Sequence, residues 1–331
     1  MNMVASTDTN AAASSGSGGE QDGVPSLTPF RDYLRSVLLG KEVQIDLVLA
    51  CLLAKGHLLL DDLPGTGKTT LAKAIADGLG GKLSRVQCTP DLMPADITGF
   101  SMFNQKTREF EFRAGPVFSD VLLADELNRT TPRTQSALLE AMAERQVTVD
   151  GKPHALADSF FVIATQNPID SHGAYPLPEA QLDRFSIKLQ IGYPDRTAQR
   201  EILRREVSSE QANAGTVGEM EATLSLEGLS LLQAKAKAVQ VHDRVAEYVI
   251  DLVEATRSDS KIELGVSPRG MMHWQAISQA WAMLQGRDFV TPTDVADVAT
   301  SVLSVRLLTR GESTEAVIER VTGSVPAPEY K

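Results

Sequence analysis

The chain has 331 residues, and 32 basic side chains against 43 acidic ones give it a formal charge of −11. Its composition, 42% apolar and 23% charged, is that of an ordinary globular protein with room for about two domains and a sizeable core. The acidic balance argues against a surface devoted to nucleic acid or anionic lipid. Two cysteines are too few for a disulfide framework, and no run approaches the roughly 18 apolar residues of a membrane span. No export signal is visible, so a cytoplasmic protein without membrane insertion is expected.

Residues 1–26 are mostly Ala, Ser, Gly, Thr, Asn and Asp. Such a segment cannot bury enough surface to offset its ordering entropy, and a disordered low-complexity tail is expected. From Leu27 to Pro194 strand and helix patterns alternate. His57–Asp61, Ser84–Thr89, Val121–Ala124, Phe160–Ala164 and Phe185–Ile191 read as strands, two of them apolar throughout and the first around an apolar Leu58–Leu60, as in a sheet covered on both faces. Between them, Thr69–Gly80 has helical spacing and a Gly80-Gly81 stop, and a second helix starts with Thr131 as cap and Pro132 in its first turn. Two hairpins interrupt the pattern. One turns at Asp150-Gly151; the other runs from Phe103 to Arg113 around residues 105–108. The alternation predicts an α/β fold with a mostly parallel sheet over 27–194.

Beyond Pro194 the strand signals fade. Thr197–Glu206, Leu226–Val239, Asp243–Arg257, Pro268–Leu284 and Pro292–Arg306 show helical spacing, with Ser267 and Thr291 as caps before prolines. Residues 195–331 are therefore expected to form a smaller all-helical domain.

The strongest chemical signal is Leu63-Pro64-Gly65-Thr66-Gly67-Lys68-Thr69-Thr70, directly after a strand and opening a helix. The glycines let backbone N–H groups approach phosphate oxygens, and the helix N-terminus adds a positive dipole end. Lys68 reaches terminal phosphates and the Thr69 hydroxyl suits Mg²⁺, so ATP with Mg²⁺ is the expected ligand pair. The usual first glycine of such a loop is replaced by Asp62. A second signal is the acidic pair Asp125-Glu126 at the carboxyl end of an apolar strand, the edge where open α/β sheets bind ligands. Asp125 suits a hold on Mg²⁺ and Glu126 the polarising of an attacking water. Asn167 ends the next strand, where its amide suits the γ-phosphate or the water. Arg184 and Arg269 each could place a guanidinium on that phosphate. The five histidines show no metal-ligand spacing. Trp274, Trp281, Met271, Met272 and Met283 are spaced as a packing face, and Arg129 and Arg133 read equally as interface residues or solvated charges.

These residues, in this order, resemble the AAA+ ATPases, most closely the MoxR family. The most specific strings are 124–129 (Ala-Asp-Glu-Leu-Asn-Arg), 132–142, Ala164-Thr165-Gln166-Asn167-Pro168, and 177–185 (Leu-Pro-Glu-Ala-Gln-Leu-Asp-Arg-Phe). The resemblance implies a P-loop core carrying a helix-2 insert hairpin, here 103–113 and a candidate substrate contact, followed by a helical lid. It also implies ATP held between subunits of a ring, commonly a hexamer. On that template Gly65–Thr70 is the Walker A loop and Asp125-Glu126 Walker B. Asn167 is sensor 1, Arg184 the arginine finger and Arg269 the sensor 2 arginine, while Gly40-Lys41-Glu42 lies near adenine. Val305-Arg306 stands where many relatives have His-Arg. The implied activity is ATP hydrolysis coupled to chaperone-like maturation of a metalloenzyme or complex, with partners that often carry von Willebrand factor A domains. Two rivals are a nucleic-acid-remodelling motor, disfavoured by charge, and a non-hydrolysing switch, disfavoured by the intact acidic pair.

Overall fold

The computed structural model describes residues 24–167, 174–212 and 222–328, without the side chains of 206–212. Residues 1–23 of the expected tail lie outside the described residues. Two helices come first, α1 (Thr28–Val37) and α2 (Glu42–Leu53). Strand β1 (Leu58–Asp61) leads through a loop into α3 (Lys68–Leu79), and β2 (Leu83–Gln87) follows. A short α4 (Pro94–Thr98) precedes the hairpin of β3 (Gly99–Asn104) and β4 (Glu109–Ala114). Next come β5 (Val121–Asp125), α5 (Pro132–Glu144), a second hairpin of β6 (Gln146–Val149) and β7 (Lys152–Ala155), and β8 (Phe161–Gln166). One helical turn, α6 (Glu179–Leu182), and β9 (Ile187–Leu189) complete this half. The second half holds α7 (Arg196–Ala212), α8 (Leu226–Ala238), α9 (Asp243–Ser258), β10 (Ile262–Leu264), α10 (Pro268–Leu284), α11 (Pro292–Leu303), β11 (Leu308–Thr309) and α12 (Thr314–Ser324).

The main sheet runs β2-β5-β8-β1-β9, and every neighbouring pair is parallel. Its central strands are apolar because both faces are covered. Alternate residues divide cleanly. Leu58, Leu60, Val121, Leu123, Phe161 and Ile163 pack toward α1, α2, α3 and the helices of the second half. Leu59, Leu122, Ala124, Val162 and Ala164 pack toward α5, Phe160 and Phe185. Helix α2 is buried from Ile45 to Leu53 because it lies between the sheet and helices α8 and α10. One apolar cluster therefore continues from the sheet into the helical half.

Several boundaries differ from expectation for identifiable reasons. Strand β9 is shorter than Phe185–Ile191 because the Ile191 N–H goes to the Asp62 carboxylate instead of a strand. The second half is not purely helical: β10 and β11 pair antiparallel with an irregular register. Helix α11 stops at Leu303, and Arg306 turns inward. Met272 is exposed, whereas Trp274 and Trp281 are buried as a packing face requires. The hairpin of β3 and β4 starts at Gly99, which has φ +91°; a Cβ there would sit 2.2 Å from the Arg113 carbonyl oxygen.

Helix α11 begins with the expected Thr291 cap, closed by Asp294 in a capping box. Thr291 N and Oγ1 both donate to Asp294 Oδ2 at 2.7 Å, and Arg287 donates to both Asp294 oxygens. Burial alone would raise the Asp294 pKa; the donors from Arg287 and Thr291 outweigh it and hold this carboxyl below its ordinary range. A depressed folded-state pKa stabilises fully above the ordinary carboxylate range and is lost as pH falls through the folded value. Asp294→Asn is expected to cost about 1–3 kcal/mol at neutral pH. The gap to the native chain should narrow in urea melts at about pH 3, and a gap unchanged there would tie the loss to shape instead of charge.

Candidate active site

The loop after β1 depends on two left-handed glycines. Gly65 and Gly67 have φ of +82° and +93°, and no atom lies within 4 Å of where a Cβ would stand. Both line an open cavity of about 400 Å³ with Pro64, Lys68, Thr69 and Thr70. Thr66 turns inward, its hydroxyl 3.3 Å from the Leu63 carbonyl oxygen. Lys68 Nζ donates to the carbonyl oxygens of Asp62 (3.1 Å) and Leu63 (2.7 Å).

The departure at Asp62 has a structural use. Its buried carboxylate accepts the N–H groups of Ile191 (2.6 Å) and Gly192 (2.9 Å), tying the loop to the segment that leaves β9. Lys41 Nζ donates to the Tyr193 carbonyl oxygen at 2.9 Å, and Gly40 packs on Ala198. Gly40 and Lys41 thus sit against the segment that leaves β9, and they do not line the loop cavity.

The acidic pair enters the cavity from the end of β5, and Asn167 enters from the end of β8. Asp125 Oδ1 accepts from the Thr165 hydroxyl at 2.8 Å, and Oδ2 pairs with Arg85 at 2.8 Å. The same Thr165 oxygen accepts the Glu126 N–H at 2.8 Å. Glu126 adopts a left-handed conformation, φ +58°, and its Oε2 accepts from Gln87 (3.0 Å) and Arg129 (2.9 Å). Both acids are therefore oriented by polar partners at the carboxyl edge of the sheet. An aperture with amide donors, a lysine, a hydroxyl and two carboxylates fits a triphosphate with a divalent cation.

Arg184 and Arg269 do not reach this cavity. They share another, of about 350 Å³, at the opposite, amino edge of the sheet with Lys55 and Arg145. No carboxylate lines it among the described residues. Its two histidines stay neutral at physiological pH. Burial pushes His57 down to about 3 and His273 down to about 4, with nearby arginines adding to both shifts. The whole length of β1 separates the two cavities, roughly 10 Å or more for four extended residues.

Comparison with known proteins agrees with this geometry. The model described as "ATPase family associated with various cellular activities (AAA)" matches residues 57–187, and the AAA lid domain model matches 254–321. Chaperone MoxR1 of Mycobacterium tuberculosis is 39% identical over 89% of this chain and 81% of its own. Protein MoxR of Paracoccus denitrificans is 31% identical over 90% of this chain and 96% of its own. The chain belongs to the MoxR family of AAA+ ATPases. Uncharacterized protein YeaC of Bacillus subtilis is 43% identical over 93% of this chain and 97% of its own. The crystal structure of a Cytophaga hutchinsonii protein described as a candidate ATPase superposes with a TM-score of 0.83 and 33% identity, covering 92% of this chain and 95% of that one. This MoxR-family chain thus has an α/β AAA+ core with a helical lid.

Three polar residues of the site escaped the sequence reading. Arg85 and Gln87 lie on β2, two apart and in register with Leu123 and Asp125 of β5. Thr165 precedes the polar pair 166–167. A period-two polar pattern at the carboxyl end of β2 was the available signal, but it matches any edge strand. Asp62→Ala is expected to cost roughly 2–4 kcal/mol, because the Ile191 and Gly192 N–H groups lose their acceptor. Urea denaturation measures this, and an unchanged midpoint would show that solvent serves both donors.

Proposed function

We propose that this chain hydrolyses ATP to ADP and phosphate in a ring of identical copies, hexameric as its family resemblance implies. The ring would couple turnover to chaperone-like remodelling of a protein client. The observation that carries this reading is the convergence of the phosphate loop, the acidic pair and Asn167 on one cavity at the carboxyl edge of the sheet. Thr69 and Asp125 are the groups that would hold Mg²⁺, which when bound would neutralise charge on the β- and γ-phosphates. Lys68 exchanges its two carbonyl contacts for phosphate oxygens, and the loop N–H groups hold the phosphates in place. Glu126 takes a proton from the attacking water, and Asn167 orients that water or the γ-phosphate.

Arg184 and Arg269 complete the site from a neighbouring copy. Among the described residues their cavity gathers four cations and no acid, a surface complementary to phosphate. The client-facing element is the hairpin of β3 and β4, where Phe103 and Phe110 meet edge to face and stay exposed. The chain would work in the cytoplasm, and no described helix is long and apolar enough to cross a membrane. A complex or metalloenzyme with a von Willebrand factor A domain partner is the client class the family suggests.

Glu126→Gln is expected to bind Mg-ATP with near-native affinity and to turn over about 10²–10⁴ times more slowly. Calorimetry and phosphate release measure the two properties, and native turnover would remove Glu126 from the mechanism. Mixing Arg184→Ala with Lys68→Ala protein should restore activity at mixed interfaces. Activity that never exceeds the sum of the two variants would refute the assignment in trans.

A further inference from the structure

Arg306 has no part in the reaction described above, yet its side chain is only 2% exposed. Its guanidinium fastens the segment 183–186 to the end of helix α11. Nε donates to Asp183 Oδ1 at 3.2 Å, NH2 to the Phe185 carbonyl oxygen at 2.7 Å, and NH1 to the Val302 carbonyl oxygen. The other Asp183 oxygen accepts from Ser267 Oγ at 2.7 Å. Ser267 caps α10 by accepting the Gly270 N–H at 2.9 Å. A Cβ on Gly270 would lie 2.8 Å from Arg306 Cδ, so this glycine lets the arginine pass beneath the first turn of α10.

The placement of these partners is informative. Asp183 and Phe185 flank Arg184, and Ser267 lies two residues before Arg269. Among the described residues, the solvent-shielded Nε of Arg184 has no hydrogen-bond partner to orient it. Burial lowers the Arg306 pKa to about 10, which leaves it charged at neutral pH. A lysine could not replace it, because one ammonium cannot span a carboxylate and carbonyls on separate segments as a planar five-donor fork does.

We propose that Arg306 is a positioning residue, holding Arg184 and Arg269 in one fixed relation so that both meet the phosphates bound by a neighbouring copy. This rests on the reading that those arginines act in trans. Arg306 itself touches no nucleotide. Its work is done through Asp183, the Phe185 carbonyl and the cap of α10.

The mixed assembly provides the test. In a mixture of Lys68→Ala and Arg184→Ala protein, the first copy lends arginines and the second lends an intact pocket. Arg306→Lys placed on the Lys68→Ala copy should lower kcat of the mixture about a hundredfold with KM little changed, the usual scale for an ångström of misplacement. The same change on the Arg184→Ala copy should leave the mixture unaffected. Equal loss in both placements, or loss in neither, overturns the proposal. Circular dichroism melts check folding; if Arg306→Lys does not fold, Ser267→Ala, which removes the donor to Asp183, takes its place. A mixture inactive before any change at Arg306 would instead defeat the trans reading. The homogeneous background without either arginine then decides, because Arg184→Ala/Arg269→Ala with Arg306→Lys should turn over no more slowly than Arg184→Ala/Arg269→Ala alone. An additive loss there overturns the positioning role.

Discussion

Two-sided burial of a parallel sheet governs where the polar groups of the core strands can stand. The side chains of β1, β5 and β8 are apolar along most of their length because helices cover both faces. Backbone groups are satisfied along the ladders, so chemistry is confined to strand ends. The carboxyl edge carries the phosphate loop, Asp125, Glu126 and Asn167. The amino edge carries the arginine-rich cavity. Even His57, at the foot of β1, serves as a backbone link there: Nδ1 accepts the Val162 N–H and Nε2 meets the Met142 carbonyl oxygen.

Buried ions act as joints between distant parts of the chain. Asp62 joins the loop to residues 191–192, and Arg306 joins the end of the lid's α11 to residues 183–186. Desolvating such groups is costly, and the cost is offset only where their hydrogen-bonding capacity is nearly filled. Asp62 gives two oxygens to two N–H groups, and Arg306 spreads its donors over one carboxylate and several carbonyls. Apolar side chains of similar volume could fill these places. They could not fix a loop to a strand end, or a lid helix to the turn before a strand, in a single register.

How much was legible in the sequence follows from the same division. β1, β5 and β8 are readable because a strand covered on both faces must be an unbroken apolar run. Helices α10 and α11 are readable because Ser267-Pro268 and Thr291-Pro292 encode their starts chemically. The phosphate loop is readable because only glycine relieves its left-handed turns. Helix α2 gives no periodic signal, since an apolar helix enclosed on all sides has no polar face to alternate with. Asp62 looks like a departure from a motif because its partners lie 129 and 130 residues away. Arg306 is silent for the same reason, and β10 with β11 is too short for any pattern to rise above its surroundings.

The separation of the two cavities bears on why such a fold would act as an assembly. A strand cannot be shortened without losing the ladder that places the loop, so one copy cannot bring its own amino edge to its own carboxyl edge. The two cavities differ in charge, one offering carboxylates and a phosphate cradle, the other cations with no carboxylate among the described residues that line it. Contact between unlike edges is heterologous, and such contacts either close into rings or run on as filaments. On the proposed reading, closure comes with a catalytic advantage, because each interface then holds a complete set of groups around one nucleotide. On the same reading, hydrolysis at an interface would also give the ring its mechanical coupling, since losing the γ-phosphate would remove the anion that the arginines of the next copy were holding.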